Sequence, residues 1–324
     1  MQTICLNMIV RNEAAVVRRC LASVKHLIDY WVIIDTGSDD GTQQIIREFL
    51  QEIPGELHER PWIDFSRHRN EVLSLSQGKA DFFLLIDADD RLILSKPLLK
   101  QSLDQHYYML DYHKGFCKTK RTFLIDGRLN WFWKGEIHEV LTCAEAEKGA
   151  FLPGAILQAG KEGFRSRNPN TLKEDLSLLK CTLANGNGDE RTVFHLAVFS
   201  EEAQDLASAL RYFEQRASMG GWDQEVFYSL FRIAALQEAL HFDPRIFLAG
   251  YASAYAYRPS RIEPLAALAF YYIKKKEDSK AYPLLKQAIH IPLSQDAIYV
   301  IVPLYEYEAL FAFADVAYRL GKYE

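Results

Sequence analysis

The chain has 324 residues, of which 49% are hydrophobic and 25% are charged, and its formal net charge is −5. This length accommodates one large domain or two ordinary ones, and the composition is typical of a globular protein with a sizeable core. The slight acidity gives no electrostatic reason to expect binding to nucleic acid or to an anionic membrane. No apolar run reaches the roughly 18 residues of a membrane span, and the amino terminus lacks the pattern of a signal peptide.

The five cysteines are scattered, odd in number and without CxxC spacing. This pattern favours reduced thiols over a disulfide framework or a zinc site, and it predicts a cytoplasmic protein. The cysteines are Cys5, Cys20, Cys117, Cys143 and Cys181.

Strand and helix patterns alternate through the first half of the chain. Apolar runs predict strands at Thr3–Val10, Trp31–Ile34, Leu57–Arg60 and Phe82–Ile86. Apolar residues at helical spacing predict helices over Ala14–Leu27, around Ile45, Ile46 and Phe49, and over Phe65–Leu75. Such alternation predicts an α/β domain with a mainly parallel sheet. The chain has neither a GxGxxG motif nor a P-loop, which argues against a dinucleotide dehydrogenase and an NTPase.

The strand Phe82–Ile86 is followed at once by Asp87, Ala88, Asp89 and Asp90. The carboxyl end of a buried strand is where open α/β sheets bind ligands. Two carboxylates two residues apart can converge on one Mg²⁺ or Mn²⁺ ion, both of which accept oxygen ligands. The alternative is a polar turn that closes the strand.

Four motifs, in this order, resemble those of family 2 glycosyltransferases with the GT-A fold. The resemblance covers residues 1–165, which we therefore predict to be a GT-A nucleotide-sugar domain. The motifs are Ile9-Val10-Arg11-Asn12-Glu13, Asp35-Thr36-Gly37-Ser38-Asp39-Asp40-Gly41-Thr42, Trp62 with Phe65-Ser66-Arg67-His68-Arg69-Asn70, and Asp87-Ala88-Asp89-Asp90.

The resemblance implies a role for each matching residue. It implies a nucleoside pocket lined by Ile9, Arg11 and Glu13. Asp35 would accept hydrogen bonds from the base, usually uracil, and otherwise it is a turn former. Arg69 would reach the base or the phosphates, with Asn70 beside it, and otherwise it is a surface charge.

In the acidic motif, Asp87 would face the ribose or the water shell of the metal, with Ala88 beside it. Asp89 would hold a Mn²⁺ or Mg²⁺ ion that bridges the diphosphate. The implied donor is a UDP-sugar. A divalent ion can neutralise the charge that gathers on a leaving diphosphate.

A second acid–base cluster lies in Trp131–Glu139. In a subset of the family, a tryptophan–x–glycine–x–x–histidine–glutamate run forms the acceptor side of the site. Inverting transfer needs a group that deprotonates the acceptor; Glu139 is the first choice for this base, Glu136 the second, and His138 is the third group of the cluster. The alternative is a core strand with buried tryptophans.

One position departs from the family pattern. Relatives carry an isoleucine–x–histidine–x–glycine segment whose histidine completes the metal site, whereas this chain has Gln158 within Ile156–Gly160. An amide oxygen ligates Mn²⁺ less strongly than an imidazole does. The departure puts metal affinity and full activity in question.

From Asn170 onward the strand patterns end and helical patterns take over. Small and aromatic positions alternate with a period of roughly 35 residues, which resembles degenerate tetratricopeptide repeats. We predict an all-α helical-repeat domain over residues 166–324. Its predicted helices are Leu172–Leu183, Thr192–Phe199, Asp205–Ala217, Glu225–Leu240, Arg245–Tyr257, Glu263–Lys274 and Ser279–Ile289.

Together these features predict a metal-assisted glycosyltransferase, with inversion, that moves a hexose or N-acetylhexosamine from a UDP-sugar. The acceptor is a protein, a peptide or a saccharide, and the helical domain is a possible homodimer interface. One rival is a catalytically inactive scaffold with the same fold, suggested by Gln158. Another is a nucleotidyltransferase, which also uses paired aspartates on an α/β sheet.

Overall fold

A computed structural model describes residues 2–135 and 139–322 of the chain. The chain divides into two compact units, Met1–Gly115 with Lys120–Thr171, and Phe116–Thr119 with Leu172–Glu324. The second unit thus takes four residues from the middle of the first half. The boundary that we predict between residues 165 and 166 remains a prediction.

Ten strands belong wholly or mostly to the first unit, and eight of them form one sheet. Its strand order is β3-β2-β1-β4-β7-β6-β10-β5, while β8 and β9 form a separate antiparallel hairpin. The strands are β1 (Ile4–Val10), β2 (Tyr30–Asp35), β3 (Gly55–Glu59), β4 (Phe82–Leu85), β5 (Arg91–Leu94), β6 (Tyr107–Lys114), β7 (Cys117–Asp126), β8 (Phe132–Lys134), β9 (Val140–Thr142) and β10 (Gly149–Gln158).

The predicted mainly parallel α/β core is confirmed. Strand β1 pairs in parallel with β2 and β4, and β2 pairs in parallel with β3. The expectation of parallel pairing fails on the other side of β4, where β7 runs antiparallel to β4 and β10 runs antiparallel to β5. No helical crossover connects β6 to β7, which are joined by a two-residue turn and therefore run antiparallel.

Helices cover both faces of this sheet. On one face, Cys20 and Leu21 of α1 (Val17–Val24) and Ile46 of α2 (Thr42–Phe49) pack in one core cluster with alternate residues of β1. On the other face, Val72 and Leu73 of α3 (Phe65–Ser76) pack against the residues of β1, β2 and β4 that point the opposite way. Because successive side chains of a strand point to opposite faces, a continuous apolar run fits a strand buried on both.

The amino terminus of α3 is fixed by its own sequence. The Asp64 carboxylate accepts a hydrogen bond from the Arg67 backbone N–H at 2.7 Å, a standard helix cap. The first unit ends with the short helix α4 (Phe164–Arg167).

The second unit is helical, as predicted. All seven predicted helices are present, within a few residues of their expected ends. They are α5 (Thr171–Ala184), α6 (Glu190–Glu202), α7 (Leu206–Met219), α8 (Asp223–Ala239), α9 (Pro244–Tyr257), α10 (Glu263–Lys274) and α11 (Asp278–Ala288). Residue Thr171 starts α5 although it is counted with the first unit.

Three elements of the second unit were not predicted. A further helix, α12 (Ala309–Arg319), follows a π-helical turn at Leu304–Glu308. The two-residue strand β11 (Val300–Ile301) pairs with Cys117 and Lys118, so strand structure does not end at Asn170.

All five cysteines are unpaired. No helix in the described part of the chain is both long and apolar enough to cross a membrane.

Candidate active site

The predicted site segments follow the carboxyl ends of β1, β2 and β4, which are parallel neighbours in the sheet. Their ends therefore meet at one edge, as expected for the ligand crevice of an open α/β sheet. The side chains there divide into two groups, one around Asp35 and Glu13 and a charged cluster around Asp87.

Asp35 is fully buried at the end of β2. Its Oδ1 accepts hydrogen bonds from the backbone N–H groups of Gly37 at 2.9 Å and Ser38 at 2.7 Å. Its Oδ2 is buried and has no hydrogen-bond partner among the described residues. A buried carboxylate oxygen without a partner is costly and indicates a missing donor. Asp35 is thus a turn former through one oxygen and open to a ligand through the other.

Glu13 lies just beyond β1 and is arranged in a similar way. One carboxylate oxygen accepts from the Phe164 backbone N–H at 3.0 Å, and the other is buried without a partner among the described residues. Burial raises the pKa of Glu13 to about 7, against the lowering effect of the Phe164 hydrogen bond. The Arg11 guanidinium lies over the Phe164 ring, 5.6 Å from its centroid.

Arg69 links the two parts of the sequence that were predicted to form opposite sides of the site. Its guanidinium donates to Asp87 Oδ1 at 2.7 Å and to Glu139 Oε1 at 2.6 Å. The same group lies over the Trp133 ring, 5.0 Å from its centroid. Arg69 and Glu139 are 15% and 10% exposed at their side chains, so this pair is largely shielded from water.

Arg121 was not singled out by the sequence. It donates to Asp87 Oδ2 at 2.6 Å and to Asp90 Oδ2 at 3.1 Å. It lies in β7, within a polar stretch that precedes the apolar residues of this strand. No local signal distinguishes Arg121 from the lysines beside it, and only the β4–β7 pairing brings it to the acidic motif.

Both oxygens of Asp87 are therefore bound by guanidinium groups. Burial alone would raise the pKa of Asp87, but Arg121 and Arg69 together hold it well below its usual range. The neighbouring Asp90 is almost fully buried, and burial raises its pKa to about 7 in spite of Arg121. Asp87 is a stable anion that holds two cations in place.

Asp89 has a different environment from Asp87. Burial, and then the charge of Asp87, raise its pKa. A Cβ atom at Gly163 would lie 2.6 Å from Asp89 Oδ2, and one at Gly160 would lie 2.2 Å from the Asp89 carbonyl oxygen. Only glycine leaves room for this aspartate. The Arg19 guanidinium donates to the Asp89 carbonyl at 3.1 Å, which fixes the backbone there.

Among the residues 2–135 and 139–322, no cluster of three or more histidine, cysteine, aspartate or glutamate side chains could hold a metal ion. Gln158 donates its amide N–H to the His113 carbonyl at 3.2 Å. Few of the described side chains at this edge could therefore ligate a divalent ion. Asp89 can offer a carboxylate, whereas the oxygens of Asp87 are already bound by arginines.

The hairpin of β8 and β9 is attached to α3 by one side chain. Asn70 donates to the Trp133 carbonyl at 2.9 Å and accepts from the Trp133 N–H at 2.8 Å. This pairing holds Trp133 beside Arg69. Of the predicted acid–base cluster, Glu139 accepts a hydrogen bond from Arg69. Glu136 and His138 lie outside the described residues.

Two cavities lie along this edge of the first unit. An open one of about 460 Å³ is lined by Asn12, Asp40, Phe164, Arg167 and Asn168. A smaller one brings Ile9 together with Arg69 and Trp133. Arg69 thus lies beside Ile9, Asp87 and Glu139, and the roles that the sequence implies for these residues stay predictions.

Comparison with known proteins finds similarity to part of the first unit. A sequence model described as Glycosyl transferase family 2 matches residues 5–104. A TPR repeat-containing protein of Synechococcus elongatus is 42% identical over 106 residues, which are 32% of this chain and 25% of that protein. An uncharacterized glycosyltransferase of Rickettsia felis is 30% identical over 92 residues, which are 28% of this chain and 30% of that protein. These matched segments are less than a third of either relative.

Solved structures are similar only loosely. Residues 1–349 of S. aureus TarS in complex with UDP-GlcNAc match with a TM-score of 0.40 and 12% identity, over 92% of this chain and 99% of that one. YrrB, a TPR protein with an unusual peptide-binding site, matches with a TM-score of 0.33 and 16% identity, over 38% of this chain and 61% of that one. We assign no role from either likeness. The Glycosyl transferase family 2 model thus matches the segment that holds β1 to β4 and the acidic motif at their carboxyl ends.

Proposed function

We propose that the protein transfers a sugar from a nucleoside diphosphate sugar to an acceptor hydroxyl. The observation that carries this proposal is the partly buried pair of guanidinium groups, Arg69 and Arg121, held by Asp87 at the ligand edge of a sheet whose first four strands match the family 2 model. Fixed cations beside a leaving diphosphate stabilise the charge that develops on it, with no reorganisation during the reaction.

The donor would bind with its base against Asp35 and its ribose near Ile9 and Glu13. Support for a base contact comes from Asp35 Oδ2, the buried oxygen that has no described partner. An acceptor oxygen suits the N–H of uracil, so the proposed donor is UDP-hexose or UDP-N-acetylhexosamine. The open cavity beside Phe164 and Arg167 has a volume in the range of small-molecule sites.

A divalent ion fits the proposal at Asp89 but not at Asp87. A Mg²⁺ or Mn²⁺ ion held by one carboxylate, waters and substrate phosphates is a common arrangement. When bound, such an ion would neutralise negative charge on the diphosphate. Gln158 is an additional ligand only if its amide oxygen turns towards the site.

Inverting transfer needs a base on the acceptor side, and Glu139 remains our proposal for it. A carboxylate that accepts from Arg69 Nε through Oε1 keeps its other oxygen for a proton. Because Arg69 also binds Asp87, the same guanidinium would couple the acceptor side to the donor side. Glu139 is thus proposed to act as the base with its orientation set by Arg69.

Three further parts of the proposal are less specific. The acceptor is a saccharide, a protein or a peptide. A cytoplasmic location is supported by five cysteines that all remain unpaired. The helical unit is proposed to pair two copies of the chain.

The rival function is a nucleotide-sugar-binding scaffold without turnover. It is favoured by Gln158, which replaces a metal-binding histidine and bonds to the His113 carbonyl. Incubation of the protein with a panel of UDP-, GDP- and dTDP-sugars, with Mn²⁺ or with EDTA, separates the two. Slow release of free nucleotide from one donor, lost in Arg121→Ala, supports the transferase. Binding of a donor with no release under any condition supports the scaffold.

A further inference from the structure

A row of flat side chains begins at the amino terminus of α3. Trp62 and Phe65 pack edge to face, with ring centroids 4.8 Å apart and an interplanar angle of 73°. The Arg165 guanidinium lies over the Phe65 ring, 4.6 Å from its centroid. Trp62 is 38% exposed, and Arg165 is also exposed. We call Trp62, Phe65 and Arg165 the aromatic row.

A buried histidine fixes Trp62 in place. The His68 ring lies 5.6 Å from the Trp62 ring and is only 1% exposed. Its Nε2 accepts a hydrogen bond from the Ile63 backbone N–H at 3.1 Å. An imidazole nitrogen accepts only when it is unprotonated, and burial lowers the pKa of His68 as this requires. These contacts of His68 fix the loop before α3, while part of the Trp62 indole ring stays exposed to water.

The aromatic row starts beside the proposed reaction centre. Phe65 and Arg69 are four residues apart in α3 and so lie on the same face of the helix. Arg69 binds Asp87, and Arg165 follows Gly163, which packs directly against Asp89. Phe65 is thus linked to the acidic motif through Arg69, and Arg165 is linked to it through Gly163.

We propose that the aromatic row is the acceptor subsite and that its ligand is a saccharide, with a pyranose ring stacked on Trp62. This inference rests on the proposed glycosyltransferase function. An indole offers a large apolar surface with little conformational entropy to lose, which suits the C–H face of a sugar ring. Arg165 lies over the Phe65 ring and extends the flat surface beside Trp62.

The shape of the row favours a saccharide over a peptide. Anchoring side chains of peptides fill desolvated pockets, whereas Trp62 and the 51% exposed Ile63 protrude into solvent. Neither cavity described above is lined by Trp62. A partly exposed aromatic ring such as Trp62 suits stacking of a sugar ring on its face better than insertion of a peptide side chain into a pocket.

The test uses the full chain, with cellotriose, maltotriose and chitotriose as probes and a serine- and threonine-rich peptide as the alternative ligand. Binding is followed by the indole N–H signals of ¹⁵N-labelled protein, with the Trp62 signal assigned by its loss in Trp62→Ala. We expect at least one trisaccharide to shift the Trp62 signal. We expect Trp62→Ala to weaken that trisaccharide about tenfold or more, and Trp62→Phe to retain part of the affinity.

The matched control is Trp222→Ala, since Trp222 is 40% exposed and belongs to the second unit. It should leave trisaccharide affinity unchanged, and UDP affinity should be the same in all three variants. The proposal is overturned if no trisaccharide shifts Trp62, if Trp62→Ala binds as wild type does, or if only the peptide shifts the signal. A saccharide that binds at Trp62 in a protein that releases no nucleotide would overturn the glycosyltransferase proposal and keep the saccharide subsite.

Discussion

The two oxygens of Asp35 separate a structural role from a binding role. Oδ1 holds the turn through Gly37 and Ser38, and Oδ2 is buried without a described partner. We expect Asp35→Asn to keep the turn, because an amide oxygen can accept at the Oδ1 position, and to lose about 1–3 kcal/mol of UDP affinity. Asp35→Ala should lose stability as well. Calorimetry with UDP and thermal unfolding measure the two effects; UDP affinity unchanged in Asp35→Asn would leave Asp35 as a turn former alone.

A substitution at Glu139 can likewise separate a role in proton transfer from a role in holding Arg69. Glu139→Gln retains an oxygen that can accept from Arg69 but cannot take a proton at neutral pH. Transfer should fall roughly 10²–10⁴-fold, the usual contribution of a general base, while UDP affinity stays near wild type. The exposed Glu147 provides a control in Glu147→Gln. Normal transfer by Glu139→Gln, or a parallel loss of UDP binding, would assign Glu139 to the support of Arg69.

Glu13 gives the site a pH dependence with a defined sign. Burial raises its folded pKa to about 7 from an ordinary value near 4.5, so the folded protein binds more protons between these two values. The stability that Glu13 contributes is then fully present below about pH 4.5 and is lost as the pH rises through about 7. We expect Glu13→Gln to flatten this part of the profile of unfolding free energy against pH. A wild-type profile that is already flat there would contradict the assignment.

Some of the residues at this site could be predicted from the sequence and others could not, for a physical reason. Asp35, Arg69 and Asp87 follow strand ends or begin a helix, so their place at the sheet edge follows from local pattern. Arg121 lies within a polar stretch of a strand, and its contact with Asp87 depends on a β4–β7 pairing between distant segments. Long-range antiparallel pairing leaves no periodic signal in a local window.

The same distinction applies to whole elements. The helices of the second half were predicted because apolar and small residues recur at helical spacing over ten or more residues. Strands β5 and β8 are three or four residues long and partly exposed, so too few positions carry a pattern. We predicted no helix beyond Ile289 and so missed α12, although Ala309–Arg319 has apolar residues at helical spacing.

The segment between β10 and α4 is the element on which Asp89 depends. A methyl group at Gly163 would meet the Asp89 carboxylate at 2.6 Å. We expect Gly163→Ala to displace Asp89 and to cost about 1–3 kcal/mol of UDP affinity in the presence of Mn²⁺, on the scale of an overpacked contact. Ser166→Ala, in the exposed part of α4, is the control and should bind UDP normally. Equal Mn²⁺-dependent affinity in both variants would show that the position of Asp89 does not matter for the nucleotide.

At the scale of the whole molecule, the last helix of the second unit exposes an apolar stripe. Leu310 is 54% exposed and Phe311 is 69% exposed, with the Tyr307 ring 6.3 Å from that of Phe311. An uncovered apolar stripe of this kind marks an interface.

A second copy of the chain fits this stripe in charge. Acidic Glu306 and Glu308 lie at one end of the stripe and basic Lys322 lies at the other, while Arg319 is already paired with Asp278 and Asp315. In a two-fold pair, equivalent helices run antiparallel and each acidic end meets the basic end of its partner. The bulky Phe311 would then face the small Ala314 of the second copy.

We therefore expect a dimer of two 37.3 kDa chains in solution. Phe311→Glu should convert it to a monomer, because each chain would then bury a carboxylate without a cationic partner in the interface. Ile246→Glu is the matched control, since Ile246 is 48% exposed on α9 and lies outside the stripe. Sedimentation velocity over a range of protein concentrations measures the mass. A wild-type monomer at every concentration would disprove the dimer, and dissociation of both variants would place the interface elsewhere.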